Sequence, residues 1–108
     1  MLETAEAAQN AKASLSVPGM DACFIGPNDL SIALGCSSEL SEYPRPVEEA
    51  ILAIRDAAVA TGKAAGIYTP SAAAAKVRLA QGFRFVCIQN DFGMVMTAAA
   101  EALRTIRA

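Results

Sequence analysis

The 108-residue sequence contains no histidine. A mechanism that needs an imidazole base, a Ser-His-Asp triad, a Cys-His pair or a histidine-ligated zinc is therefore closed to this chain on its own. Tryptophan is also absent, and cysteine is scarce. Cys23, Cys36 and Cys87 are odd in number and have no Cys-x-x-Cys spacing, which argues against a disulfide framework or a zinc knuckle. Cys23 and Cys87 lie within apolar runs and are expected to be small buried side chains. Positive charge is not in excess: 9 Lys and Arg stand against 11 Asp and Glu, for a net charge of −2 and a pI near 5.0. That balance excludes the basic footprint of a nucleic-acid binder. No run of roughly 18 apolar residues lacks a charge, so no membrane span is expected. The N-terminal Met1-Leu2-Glu3-Thr4-Ala5-Glu6 has neither the basic start nor the apolar centre of a signal peptide. The expectation is a cytoplasmic protein without nucleic-acid or membrane partners.

What is present is apolar and helix-forming. Apolar residues make up 54% of the chain and alanine alone contributes 24, which excludes disorder and predicts helices packed closely on another layer. The length allows one domain, taken as residues 1–108. Thr4 is placed to cap a helix running to about Ser14. Ala22-Cys23-Phe24-Ile25 reads as a strand buried on both faces, followed by a helical turn over Leu30 to Leu34 and a loop over 35–45. Pro46 opens the clearest helix, with Val47, Ala50, Ile51, Ile54 and Ala58 on one face and Gly62 as its left-handed stop. Strands are predicted over Ala64 to Tyr68 and Phe83 to Ile88. Between them lies a helix from Ser71 to about Gln81, and a last helix carries Val95, Ala98, Ala99, Ala102, Leu103 and Ile106 on one face. This alternation predicts a parallel sheet in an α/β fold, either doubly wound or a (β/α)₈ barrel.

Both architectures bind ligands where strands end and helices begin. Gly26-Pro27-Asn28-Asp29 follows the first predicted strand. Gly26 permits close approach to the backbone, Pro27 stiffens the turn, and the N–H groups of Asn28 and Asp29 can meet a carboxylate or phosphate. The alternative is that Asn28 or Asp29 only caps the following turn. If Met1-Leu2 is the end of a preceding strand, Glu3 lies one βα unit before Asp29, and two carboxylates on adjacent strand tops suit a divalent cation. Otherwise Glu3 belongs to a frayed terminus. A Schiff-base lysine is not apparent: Lys63 precedes its strand, and Lys12 and Lys76 lie on helices. Arg84 falls inside the last strand pattern, where it must reach solvent or a carboxylate. Asn90-Asp91 ends the third strand, as a helix cap or as a pocket contact.

Four stretches resemble the HpcH/HpaI aldolase/citrate lyase family, and in particular its metal-dependent class II pyruvate aldolases. They are Leu2-Glu3-Thr4, Val17 through Ser31, Gly62 through Ile67 and Gly82 through Val86, the most specific run being Phe24-Ile25-Gly26-Pro27-Asn28-Asp29-Leu30-Ser31. The resemblance implies a (β/α)₈ barrel of about 250 residues. This chain would match its C-terminal part: the tip of strand five, then strands six to eight with their helices. It further implies that Glu3 and Asp29 are the metal-binding carboxylates, for Mg²⁺, Mn²⁺ or Co²⁺. The Gly26, Pro27, Asn28 and Asp29 segment would hold the carboxylate of pyruvate or a related 2-oxo acid. The implied reaction is cleavage of a 4-hydroxy-2-oxo acid to pyruvate and an aldehyde through a metal-stabilised enolate. The family's catalytic His and substrate-binding Arg belong to the half not represented here, and its usual His-Pro-Glu is replaced by Tyr43-Pro44-Arg45-Pro46. The chain alone is therefore expected to be inactive, and its open barrel edge to self-associate. The alternatives are a non-catalytic half-barrel that binds a 2-oxo acid or metal or pairs with another half-barrel, and an unrelated parallel α/β ligand-binding domain.

Overall fold

Ala22–Ile25 (β1), Ala64–Thr69 (β2) and Phe85–Ile88 (β3) form a parallel sheet in the order β1-β2-β3. The structure, a computed structural model, describes residues 1–38 and 42–108. Leu2 adds a parallel bridge to Ile25 on the free side of β1, its N–H donating to the Phe24 carbonyl at 2.8 Å. The spatial order thus follows the chain order from Leu2 to β3. Right-handed crossovers in one unreversed direction put every connecting helix on the same face, as in a barrel. A doubly wound sheet instead reverses direction at a switch point. The stub expected at Met1-Leu2 is present, and of the two architectures left open by the sequence the barrel type is the one observed.

The helices are Ala5–Gln9 (α1), Ala11–Leu15 (α2), Pro27–Ala33 (α3), Arg45–Ala60 (α4), Ala72–Ala80 (α5) and Asp91–Arg107 (α6). Val47, Ile51, Ile54 and Ala58 of α4 are fully buried against Ile25, Ala65, Ile67 and Phe83, which form the centre of the core. Alternation does the rest on β1: Cys23 and Ile25 are buried beneath the helices, whereas Ala22 and Phe24 are half-buried on the opposite face. Burial raises the Cys23 thiol above its ordinary pKa, so it stays a neutral packing group.

Several boundaries differ from the sequence-based expectation, each for a local reason. The first helix is two, because Asn10 (φ −92°, ψ 8°) leaves the helical region between them; Thr4 does cap α1, accepting from the Ala7 N–H at 3.0 Å. The expected turn at Leu30 begins instead at Pro27, whose fixed φ suits a first helical position. In α4, Arg45 precedes Pro46 in the first turn and Pro44 is the N-cap. Phe83 is a fully buried core side chain before β3 rather than part of it. Arg84 is exposed, its backbone N–H donating to the Ala65 carbonyl at 3.0 Å. Cys87, expected to be buried, is exposed, because β3 is an edge strand and its face opposite the helices is uncovered. Of the loop expected over 35–45, residues 39–41 lie outside the described residues.

One position on that opposite face is tightly constrained. Phe24, Gly66 and Phe85 are aligned across the three strands, and the rings of Phe24 and Phe85 meet edge-on at 5.3 Å above the glycine. A Cβ on Gly66 would lie 2.9 Å from both rings and from the Phe85 carbonyl oxygen. Gly66→Ala is expected to cost about 1–3 kcal/mol through overpacking, read as a lowered denaturation midpoint. An unchanged midpoint would show that the two rings are free to separate.

Candidate functional site

The C-terminal ends of Leu2 and β1 set the site. Glu3 follows Leu2 and Gly26 follows Ile25, and the Leu2–Ile25 bridge places these two positions side by side. Glu3 is half-buried there rather than frayed. The distances above Gly26 are short: a Cβ on it would lie 2.5 Å from Glu3 Oε2 and 3.3 Å from Asp29 Oδ2. Both carboxylates therefore turn into the space over one bare Cα. The backbone there (φ −94°, ψ 94°) is open to any residue, so the glycine serves that close approach rather than a special conformation.

Two carboxylates converging without a cation repel each other. Among the described residues the ion pairs are Arg45–Glu49, Arg55–Asp56, Arg78–Glu48 and Arg104–Glu101, and neither Glu3 nor Asp29 is in any of them. No group of three or more Asp, Glu, Cys or His that could hold a metal occurs among the described residues. A two-carboxylate donor set fits Mg²⁺ or Mn²⁺, which are bound by one or two carboxylates and complete their coordination with water and substrate oxygens.

The segment from Gly26 to Asp29 is anchored from below. Pro27 is buried at the first position of α3, and Leu30 and Ser31 are fully buried behind it. Ser31 Oγ donates to the Ser37 carbonyl at 2.7 Å, tying the helix to the loop that follows. Asn28 and Asp29 occupy the first turn, where N–H groups have no intrahelical partner, and no side chain among the described residues caps them. The capping alternative for Asn28 is thus not what the structure shows. Its Oδ1 instead accepts a hydrogen bond from the Tyr43 hydroxyl at 2.6 Å. Tyr43 packs against the core, and burial raises its phenol above the usual tyrosine range, with Arg78 opposing that shift and Tyr68 and Glu48 adding to it.

An open groove of about 520 Å³ adjoins Tyr43, at the ends of β2 and α5. Tyr68, Thr69 and Arg78 line it. Arg78 is 8% exposed and reaches Glu48 through both terminal nitrogens at 2.5 and 2.8 Å, with Gln81 accepting at 3.0 Å. Neither the role of Tyr43 nor that of Arg78 is legible in the sequence, because they join residues 15 and 30 positions away with no motif between. Asn90 is a cap, accepting from the Gly93 N–H at 2.7 Å. Lys63 precedes β2 at the end away from the carboxylates, and Lys12 and Lys76 lie exposed on α2 and α5, as expected. No helix among the described residues is long and apolar enough to cross a membrane.

Known proteins are similar to this chain over nearly its whole length. The hydroxypyruvate/pyruvate aldolase of Rhizorhabdus wittichii is 41% identical over 108 residues, matching 100% of this chain and 43% of its own length. The 5-keto-4-deoxy-D-glucarate aldolase of Shigella dysenteriae is 35% identical, matching 98% of this chain and 41% of its own. The crystal structure of an HpcH/HpaI aldolase/citrate lyase family protein from Burkholderia cenocepacia superposes with a TM-score of 0.92 at 28% identity, covering 99% of this chain and 41% of that one. The chain spans about two fifths of the length of these relatives, and its fold is part of their (β/α)₈ barrel, as the resemblance implies. The family model for HpcH/HpaI aldolase/citrate lyase matches residues 1–97, and the chain belongs to that family.

Proposed function

We propose that this chain is the metal- and acid-binding portion of a class II pyruvate aldolase, a carbon–carbon lyase that cleaves 4-hydroxy-2-oxo acids to pyruvate or a related 2-oxo acid and an aldehyde. The observation that carries the reading is the convergence of Glu3 Oε2 and Asp29 Oδ2 over Gly26. Glu3 and Asp29 hold a divalent cation (Mg²⁺, Mn²⁺ or Co²⁺), which when bound supplies Lewis-acid stabilisation of the negative charge that develops as the carbon–carbon bond breaks. Gly26 leaves room for the ligand beside the backbone, and buried Pro27 keeps the turn rigid. The N–H groups of Asn28 and Asp29 donate to the carboxylate of the acid, at the positive end of α3. Imidazole acid–base chemistry must come from outside this chain, which has no histidine.

The test is to join this chain to the part of the Rhizorhabdus wittichii aldolase that it does not match. The completed barrel is expected to release pyruvate from a 4-hydroxy-2-oxo acid, to lose that activity to a chelator and to regain it with Mn²⁺. The 108-residue chain alone is expected to give none. Turnover by the chain alone, or turnover that survives chelation, contradicts the proposal.

Residues 1–108 act in this reading as one partial barrel domain of a cytoplasmic enzyme; free Cys23, Cys36 and Cys87 are in keeping with a reducing compartment. Self-association follows from the apolar surface: Phe85 is 57%, Phe92 71% and Ile106 80% exposed, and α6 buries no residue. Sedimentation velocity is expected to give dimers or larger species, and a monomer at all concentrations would count against it.

A further inference from the structure

We propose that Tyr43 is a positioning residue for this site, orienting the Asn28 side chain so that its amide N–H₂ is the end presented to a bound 2-oxo acid. The inference rests on the reading of residues 26–29 as an acid-binding segment. Three observations bear on it. The Tyr43 hydroxyl donates to Asn28 Oδ1 at 2.6 Å, the distance of a well-formed O–H···O bond. Asn28 is exposed in the first turn of α3, next to the carboxylate of Asp29, and would otherwise rotate freely. Tyr43 is held at both ends of its own structure: its ring packs on the core, and its backbone is restricted by Pro44, the N-cap of α4.

The chemistry of an amide sets the consequence. A carboxamide has an acceptor end and a donor end. With Oδ1 taken by the Tyr43 hydroxyl, what is left toward a ligand is a pair of N–H donors. A pair of N–H donors favours an oxygen-rich anion and disfavours a ligand that offers only donors. Holding the side chain in place before binding also removes an ordering cost that the ligand would otherwise meet.

The experiment uses the full ¹⁵N-labelled chain with Mg²⁺ and pyruvate as probes. Without ligand, Tyr43→Phe is expected to move the side-chain amide resonances of Asn28 while leaving the backbone amides of Ile51 and Ile54 in place. With Mg²⁺ saturating, Tyr43→Phe is expected to weaken pyruvate binding by about three- to tenfold. Asn28→Ala is expected to weaken it at least as much, and the double variant no further, because the hydroxyl acts only through the amide. Unmoved Asn28 resonances, or losses that multiply in the double variant, would overturn the inference. Pyruvate binding weakened by Asn28→Ala but unchanged by Tyr43→Phe overturns it alone. No pyruvate binding by the unsubstituted chain overturns the site reading, and this inference with it.

Discussion

Asp29→Asn or Glu3→Gln, introduced into the completed barrel, is expected to lower aldol cleavage by at least about 10³-fold. A cation that stabilises developing charge is worth several kcal/mol, and each 1.36 kcal/mol is about a tenfold change in rate. Two carboxylates are the whole acidic donor set available to the cation among the described residues. Neutralising either leaves one charged ligand. The same substitutions carry a second signature of opposite sign. Without metal, Glu3 and Asp29 face each other with no ion-pair partner among the described residues, so removing one charge relieves repulsion and should leave thermal stability unchanged or raised. Added Mn²⁺ should stabilise the parent protein by mass action and should do little for either variant. Thermal denaturation with and without Mn²⁺ measures both arms. A variant that loses stability in the absence of metal would mean the carboxylate is there to support the fold.

Gly26→Ala is expected to weaken Mn²⁺ binding by about 10- to 100-fold, the range seen when a group that positions a metal ligand is altered. The added Cβ would stand 2.5 Å from Glu3 Oε2, and the far end of that side chain must swing away. The fold itself should tolerate the change. The φ of −94° is accessible to alanine, and replacing glycine restricts the unfolded chain, which favours folding by about 0.4–1 kcal/mol where the native conformation is compatible. Gly66→Ala is its counterpart. There the obstructing atoms are two aromatic rings and a backbone carbonyl, so stability falls and the carboxylates are untouched. The pair would separate a glycine that leaves room for the proposed metal site from one that leaves room for packing. Equal affinity for Mn²⁺ in Gly26→Ala and the parent would mean that the two carboxylates do not meet over this residue when the metal binds.

Much of this was legible in the chain because periodicity reports burial directly. Val47, Ile51, Ile54 and Ala58 mark the core face of α4, and all four are fully buried. The short apolar runs at Ala22 and Ala64 are strands, and the functional end of the sheet follows from where they stop. Glu3 and Asp29 were readable as neighbours through that rule and through the family resemblance, although most of a βα unit separates them. What escaped the sequence depends on tertiary partners. Cys87 sits in an apolar run, yet its burial depends on what covers an edge strand. The apolar stripe on α6 shows that this face seeks cover and does not name the cover. Tyr43 looked like a mere substitution in a loop, because a hydrogen bond from the segment before α4 back to Asn28 in α3 leaves no trace in composition or spacing. Phe83 reads as strand by apolarity alone, although it fills the core from the turn before β3.

Glu3 and Asp29 are proposed to share one divalent cation. The most direct measurement is an anomalous difference map from crystals of the completed barrel grown with Mn²⁺ and pyruvate. A peak is expected within about 2.0–2.2 Å of both Glu3 Oε2 and Asp29 Oδ2, above the Cα of Gly26. A peak held by other residues, with these two carboxylates apart, would contradict it.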